Sequence, residues 1–190
     1  LPISSVEVME VRSAPGMCEG TTSIRLCGAA PRPSRMLNPG EVAPAFSLTS
    51  DSGTTVTLSE LLAQGPLILY FYPADFTPVC TAEACMYRDA ASELAAVGAR
   101  VVGVSPQNAT SKAAFKSKHG LNFLLLADPG NEVGKKYGAR GWFGLPFGKR
   151  RLTYLIGRDG KVMDVVAADF RVSKHAAFVK QAIGRLNEQR

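Results

Sequence analysis

Two cysteines five positions apart, Cys80 and Cys85, lie in the segment PADFTPVCTAEAC (residues 73–85) and are the best-placed residues of the chain for chemistry. A thiol reacts as its thiolate, so its surroundings decide what it can do. Pro78 suits the first turn of a helix, and Thr77 just before it suits an N-cap. Cys80 then falls in that first turn, where unpaired backbone N–H groups and the positive end of the helix dipole favour an ionised sulfur. A cysteine in a helix beside a core strand can also be a small buried apolar residue. Polar Asp75 and Thr77 in the preceding loop, and the second cysteine at 85, speak for redox chemistry instead.

The elements that must hold this segment can be read from periodicity. Pro66–Tyr72 (PLILYFY) is a continuous apolar run of strand length, which predicts a strand buried on both faces. The cysteine segment follows it directly, and sites in open α/β sheets lie beyond the carboxyl ends of strands. Ala84, Tyr87, Ala91, Leu94 and Ala95 share one helical face, predicting a helix over 81–96 ended by Gly98. Before the strand, 45–49 and 54–58 flank an Asp51-Ser52-Gly53 turn as a hairpin, and Ser59 could cap a short helix reaching Gln64. After the helix come a strand at 100–104, a helix at 108–119 closed by Gly120, a strand at 123–127 and a short helix at 132–137. Strands at 152–156 and 161–167 flank Asp159-Gly160, a hairpin signal, and an amphipathic helix spans 174–187. Alternating strands and helices argue a parallel core, and the late hairpin adds an antiparallel edge. The expectation is an α/β fold: a mixed sheet covered by helices on both faces, of the thioredoxin-like kind.

Composition bounds the rest. The chain has 190 residues, 46% hydrophobic and 20% charged, with 18 Gly and 12 Pro, which excludes a collagen, a coiled coil or a wholly disordered chain. No apolar run approaches the roughly 20 residues of a membrane helix. The net charge of +6 is mild, and its dispersed charges carry no aromatic-basic motif, so neither nucleic acid nor membrane is expected as a partner. Four cysteines are too few for a disulfide scaffold, and two histidines, His119 and His175, limit metal sites. Both histidines read as surface residues. Asn108-Ala109-Thr110 fits the glycosylation pattern, but nothing marks the chain as secreted. Residues 1–36 read as a disordered extension, rich in Pro and Gly and holding Cys18 and Cys27; Met36 stands just before the first globular stretch and is a candidate start of the biological chain. A transit peptide fits poorly, because three glutamates accompany four arginines in residues 1–35. The globular domain is expected over 37–190.

Pro73-x3-Thr77-x2-Cys80 resembles the P-x-x-x-T-x-x-C signature of the peroxiredoxins, cysteine-dependent peroxidases on a thioredoxin-like fold. Pro39-Gly40, Ala43-Pro44-x-Phe46-x-Leu48, the strand Val101–Ser105, Leu126-Ala127-Asp128, Arg151-x-Thr153-Tyr154 and Asp159-Gly160 resemble further family blocks, in order over residues 37–190. The Cys80-x4-Cys85 spacing is similar to that of the atypical two-cysteine subfamily called PrxQ or bacterioferritin comigratory protein. The resemblance implies that Cys80 is the peroxidatic nucleophile and Cys85 the resolving thiol. Thr77 would offer its hydroxyl to the peroxide, and Arg151 would supply a charged fork that stabilises thiolate and departing oxygen. The N–H groups of Val79 and Cys80 would add donors, and Pro73 would shield the sulfur. Glu83 would orient the arginine, or would be an ordinary first-turn glutamate favoured by the helix dipole. Arg151 lies in the run Lys149-Arg150-Arg151, which can also be a solvated basic turn. The aromatic loop with Trp142, Phe143, Leu145 and Phe147 could line the substrate mouth, form a contact surface or, most simply, fold back as packing.

The resemblance implies thioredoxin, or glutaredoxin, as the reductant, no metal or organic cofactor, and a monomer; a recycled thiol suits a reducing, cytoplasmic compartment. Geometry adds one expectation. Residues five apart on a regular helix are about 7.5 Å apart along its axis and on different sides. That exceeds the roughly 7 Å Cα separation a disulfide tolerates, so a Cys80–Cys85 bond requires the helix start to unwind. Two rival classes remain. One is a thioredoxin-like disulfide exchanger or redox sensor, against which stands the lack of C-x-x-C; the other is a basic binding protein.

Overall fold

The computed structural model describes residues 35–139, 151–169 and 171–188. The stretch 1–34 with Cys18 and Cys27, the aromatic loop 141–147, and Lys149 and Arg150 lie outside the described residues. Among the described residues twelve elements follow in order: β1 (Ser47–Ser50), β2 (Thr55–Thr57), α1 (Leu58–Ala63), β3 (Leu67–Phe71), α2 (Pro78–Ala96), β4 (Arg100–Ser105), α3 (Ala109–His119), β5 (Leu124–Ala127), α4 (Glu132–Lys136), β6 (Leu152–Ile156), β7 (Val162–Ala167) and α5 (Val172–Glu188). The strands form one seven-stranded sheet in the order β2-β1-β5-β4-β3-β6-β7. β3, β4 and β5 run parallel at its centre, while β1, β6 and β7 join antiparallel. The expected mixed sheet is therefore present, with the parallel core and the antiparallel edge in their expected places.

β3 explains the two-sided architecture. All five of its residues are buried. Successive side chains of a strand point to opposite faces, and here they divide between two cores. Ile68, Tyr70 and Tyr72 meet α2, α3 and α5. Leu67, Leu69 and Phe71 meet α1 and the Val133–Tyr137 region, with Met36 and Leu37 packed against the same side. Tyr70 stacks on Tyr87 of α2, with ring centroids 4.5 Å apart. Its ring has room because the paired residue on β4 is Gly103, where a Cβ would come within 2.7 Å of the Tyr70 ring.

Local chemistry sets the helix ends, with two departures from expectation. α1 is capped by Thr57, not Ser59: Thr57 and Glu60 form a reciprocal capping box, which satisfies two backbone donors at once. α2 begins at Pro78, as the proline predicts, and not at Thr81, where apolar spacing first becomes visible. α3 starts at the cap Asn108, whose side chain accepts from the Ser111 N–H, and ends at Gly120 in the left-handed region.

Candidate active site

Strand alternation and register bring distant residues to the start of α2. Leu152 of β6 pairs with Phe71, the last residue of β3, and Thr153 pairs with Tyr70. Arg151 therefore stands at the carboxyl end of β3, where the chain leaves for α2. Leu152, Tyr154 and Ile156 face the α1 side, so Arg151 and Thr153 face α2. On α2, Cys80, Glu83 and Tyr87 lie three and four apart and share one buried stripe.

The contacts follow. Arg151 Nη2 donates to Cys80 Sγ at 3.3 Å, and Arg151 Nη1 donates to Glu83 Oε2. The Arg151 Nε and backbone N–H bond Asp169, so the guanidinium is held on three sides. Cys80 is 1% exposed and Glu83 fully buried. Burial opposes the charge of Arg151, but Glu83 and Cys80 outweigh it, and its pKa rises. Burial pushes the Glu83 carboxyl up to about 7, against the pull of Arg151. Glu83 is thus no solvated first-turn residue; it pairs with the arginine.

The other anticipated residues take different places. Thr77 is the N-cap residue by position, but its side chain makes no capping bond; the exposed hydroxyl donates to the Ala74 carbonyl at 3.2 Å. Pro73 and Val79 are half-buried. Cys85 is half-buried on the same unbroken helix as Cys80, and both thiols are free. His119 is half-buried against Phe115, centroids 5.0 Å apart. His175, expected at the surface, is fully buried, because the inner face of α5 packs on the sheet beside α2.

Two polar clusters were missed by sequence reasoning. Tyr87 OH lies 2.7 Å from Thr153 Oγ1, which lies 2.9 Å from His175 Nδ1. The legible signal was Thr153, a short hydroxyl side chain inside the buried strand LTYLI; a buried hydroxyl needs a partner. On the other side of the cysteine loop, Lys112 Nζ donates to Asp75 Oδ1 at 2.9 Å and to Tyr72 OH at 3.2 Å, and also bonds Ser105. Ser111 Oγ and Tyr72 OH both donate to Asp75 at 2.7 Å. Burial pushes the Lys112 ammonium down, with Asp75 opposing. Above this pair the loop turns through Phe76 at φ 63°, a conformation unfavourable for a bulky residue, and its ring rests edge-on to Phe115 at 5.2 Å. α3 therefore clamps the loop from below and from above.

Among the described residues there is no group of three or more His, Cys, Asp or Glu side chains able to hold a metal ion. No described helix is long and apolar enough to cross a membrane. A hollow of about 830 Å³ touching Gln64, Ala91 and Arg100 lies at the far end of α2 from Cys80.

A buried thiol at a helix start, met by a fixed guanidinium, is an arrangement suited to a reactive thiolate. Comparison with known proteins gives the family. Residues 39–165 match the model of the AhpC/TSA family. Peroxiredoxin Q of wheat chloroplasts is 41% identical over 137 residues, 72% of this chain and 62% of that protein. The crystal structure of the peroxidoxin BcpB from Mycobacterium tuberculosis superposes with a TM-score of 0.73 at 37% identity, over 82% of this chain and 99% of that one. A structure of the bacterioferritin comigratory protein of Xanthomonas campestris, studied for alkyl peroxide reduction, gives a TM-score of 0.67 at 27% identity, over 74% of this chain and 92% of that one. This chain belongs to the AhpC/TSA family, with a thioredoxin-like fold and peroxiredoxin Q and bacterioferritin comigratory proteins as its relatives. It is a thiol peroxidase, an oxidoreductase that reduces peroxides at the expense of a thiol reductant.

Proposed function

We propose that Cys80 is the peroxidatic residue, acting on hydrogen peroxide and organic hydroperoxides, with Cys85 as resolving thiol and a thioredoxin-type dithiol as reductant. The thiolate attacks the terminal oxygen of the hydroperoxide; an S–O bond forms, the O–O bond breaks, and the departing alkoxide takes up a proton. Cys80 is left as sulfenic acid, which condenses with the Cys85 thiol to a disulfide and water. A dithiol then reduces that disulfide by exchange. Arg151 stabilises the thiolate and, with the N–H groups of Val79 and Cys80, the developing charge on oxygen. Thr77 can accept from substrate as it stands, and donates to it by turning its hydroxyl hydrogen away from the Ala74 carbonyl. Pro73 limits access to the sulfur, and Glu83 holds the guanidinium in place.

The observation that supports this reading best is the Arg151 Nη2 to Cys80 Sγ contact of 3.3 Å at a helix start. The alkyl peroxide activity named for the Xanthomonas relative supports the substrate class. In the same reading the enzyme works as a monomer in a reducing compartment such as the cytoplasm, and the stretch before Met36, which itself packs on the core, lies outside the catalytic unit. The test is NADPH consumption coupled through thioredoxin reductase and thioredoxin. Cys80→Ser should abolish turnover, whereas Cys85→Ser should retain one equivalent of peroxide consumption and lose sustained turnover. Normal turnover by the first variant would overturn the nucleophile, and by the second the resolving thiol.

A further inference from the structure

Glu83 presents an unusual surplus. One carboxylate oxygen, Oε2, accepts from Arg151, but the other, Oε1, is buried without a hydrogen-bond partner. A carboxylate oxygen left dry and unpaired is costly. A titratable atom, His175 Nδ1, lies 3.5 Å away and is likewise fully buried. The tautomer of His175 follows from its neighbours. Nε2 lies 3.0 Å from the Ala168 carbonyl, which can only accept, so Nε2 carries a hydrogen. In the neutral ring Nδ1 is then an acceptor, taking the Thr153 hydroxyl proton, and Thr153 in turn accepts from Tyr87. The neutral ring therefore offers no hydrogen to Glu83 Oε1. One added proton, on Glu83 or on Nδ1, would complete the bond between them, with the Thr153 hydroxyl turning its hydrogen away from Nδ1.

Charge gives that proton a purpose. With Cys80 ionised and Glu83 ionised, two buried anions share the single guanidinium of Arg151. Removing the negative charge from the Glu83 side leaves one anion for one cation. We propose that His175 is a positioning residue of the peroxide site: with Glu83 it takes up one proton as Cys80 becomes a thiolate and releases it when the sulfur becomes sulfenic acid, so that Arg151 faces one buried anion throughout. This rests on Cys80 being the reacting thiol. The count balances. Ionisation moves one proton from sulfur to the pair, and the S–O bond forms as the O–O bond breaks. The alkoxide then takes one proton, while the pair returns one to solvent as Arg151 turns to Glu83. The groups facing the pair are Arg151 just before β6, Thr153 from β6, Cys80 and Tyr87 from α2, Tyr70 from β3 and Asp169 after β7. Burial drives the Glu83 acid up and the His175 base down, which favours one neutralising proton on the carboxyl near pH 7.

The decisive measurement is a pH titration of the His175 ring by ¹⁵N NMR in reduced wild type and in Cys80→Ser. Without the competing thiolate, Arg151 serves Glu83 alone, and the midpoint sensed at the ring should fall by about one pH unit. Coincident titrations, or a ring that responds in neither protein, would overturn the proposal. As a kinetic counterpart, His175→Phe and the smaller, polar His175→Asn should lower the peroxide rate about tenfold at pH 6 while staying within about twofold at pH 9; an unchanged pH profile in both would also overturn it. Cys80→Ser separates the two levels: retained turnover would sink Cys80 as the reacting thiol, whereas lost turnover with an unmoved titration sinks only the role of His175.

Discussion

Asp75 and Lys112 form an ion pair at 2.9 Å with side chains 1% and 0% exposed, directly beneath the turn from β3 into the cysteine helix. The pair ties the cysteine loop to α3, with Tyr72, Ser105 and Ser111 satisfying the remaining bonds. Removing one partner strands the other charge in a dry interior. Lys112→Met should therefore cost about 3–5 kcal/mol in urea unfolding, and Asp75→Asn a comparable amount. The double variant Asp75→Asn/Lys112→Met should recover part of that loss; a double loss equal to the sum of the singles would show that the two do not act as a pair.

Arg151 reaches Cys80 and Glu83 with different nitrogens of one planar fork. Lysine keeps the charge but loses the fork. Arg151→Lys should lower kcat/KM for peroxide by about 10²–10³-fold, the usual effect of losing an oriented donor to developing charge. Stopped-flow peroxide reduction checks it, and a loss below about threefold would mean that charge alone suffices.

Burial holds the Glu83 carboxyl protonated up to about pH 7, against an ordinary value of 4.5. Between those two pH values the folded state keeps a proton that the unfolded chain has released. Stability from this group is thus present below about pH 4.5 and lost as pH rises to about 7. The stability difference between wild type and Glu83→Gln, followed by urea unfolding, should shift against wild type across that window and level off above it. A difference independent of pH would place the titration elsewhere.

Cys80 and Cys85 sit on one continuous helix, Pro78–Ala96. A disulfide between them cannot form across about 7.5 Å of helix axis, so its formation would require the first turns to unwind. Hydrogen exchange of the amides at 78–88 should speed up in the oxidised protein. Equal protection in both redox states would show that the bond does not form within this helix.

The cysteine segment's position at a helix start and its scaffold were legible in the sequence because their signals are local. An apolar heptapeptide at 66–72 reads as a buried strand, and Pro78 before an apolar stripe reads as a helix start; each depends only on neighbours along the chain. The cap of α1 was misplaced by two residues because Thr57 and Ser59 are both good caps, and only the reciprocal bond from Glu60 separates them. The charges at the site were harder. Nothing close in sequence marks His175 or Lys112 as buried: His175 sits near the start of an amphipathic helix, and Lys112 lies in a short helix (ATSKAAFKSKH) rich in lysine and serine. Each is drawn inside by a partner far along the chain. Glu83 meets His175 through the packing of α5 beside α2, and Asp75 meets Lys112 through the packing of α3 over the loop. Burial of an ionisable group depends on which opposite charge or hydrogen-bond partner it meets across space. That meeting is made when strands pair and helices pack, not by spacing along the chain.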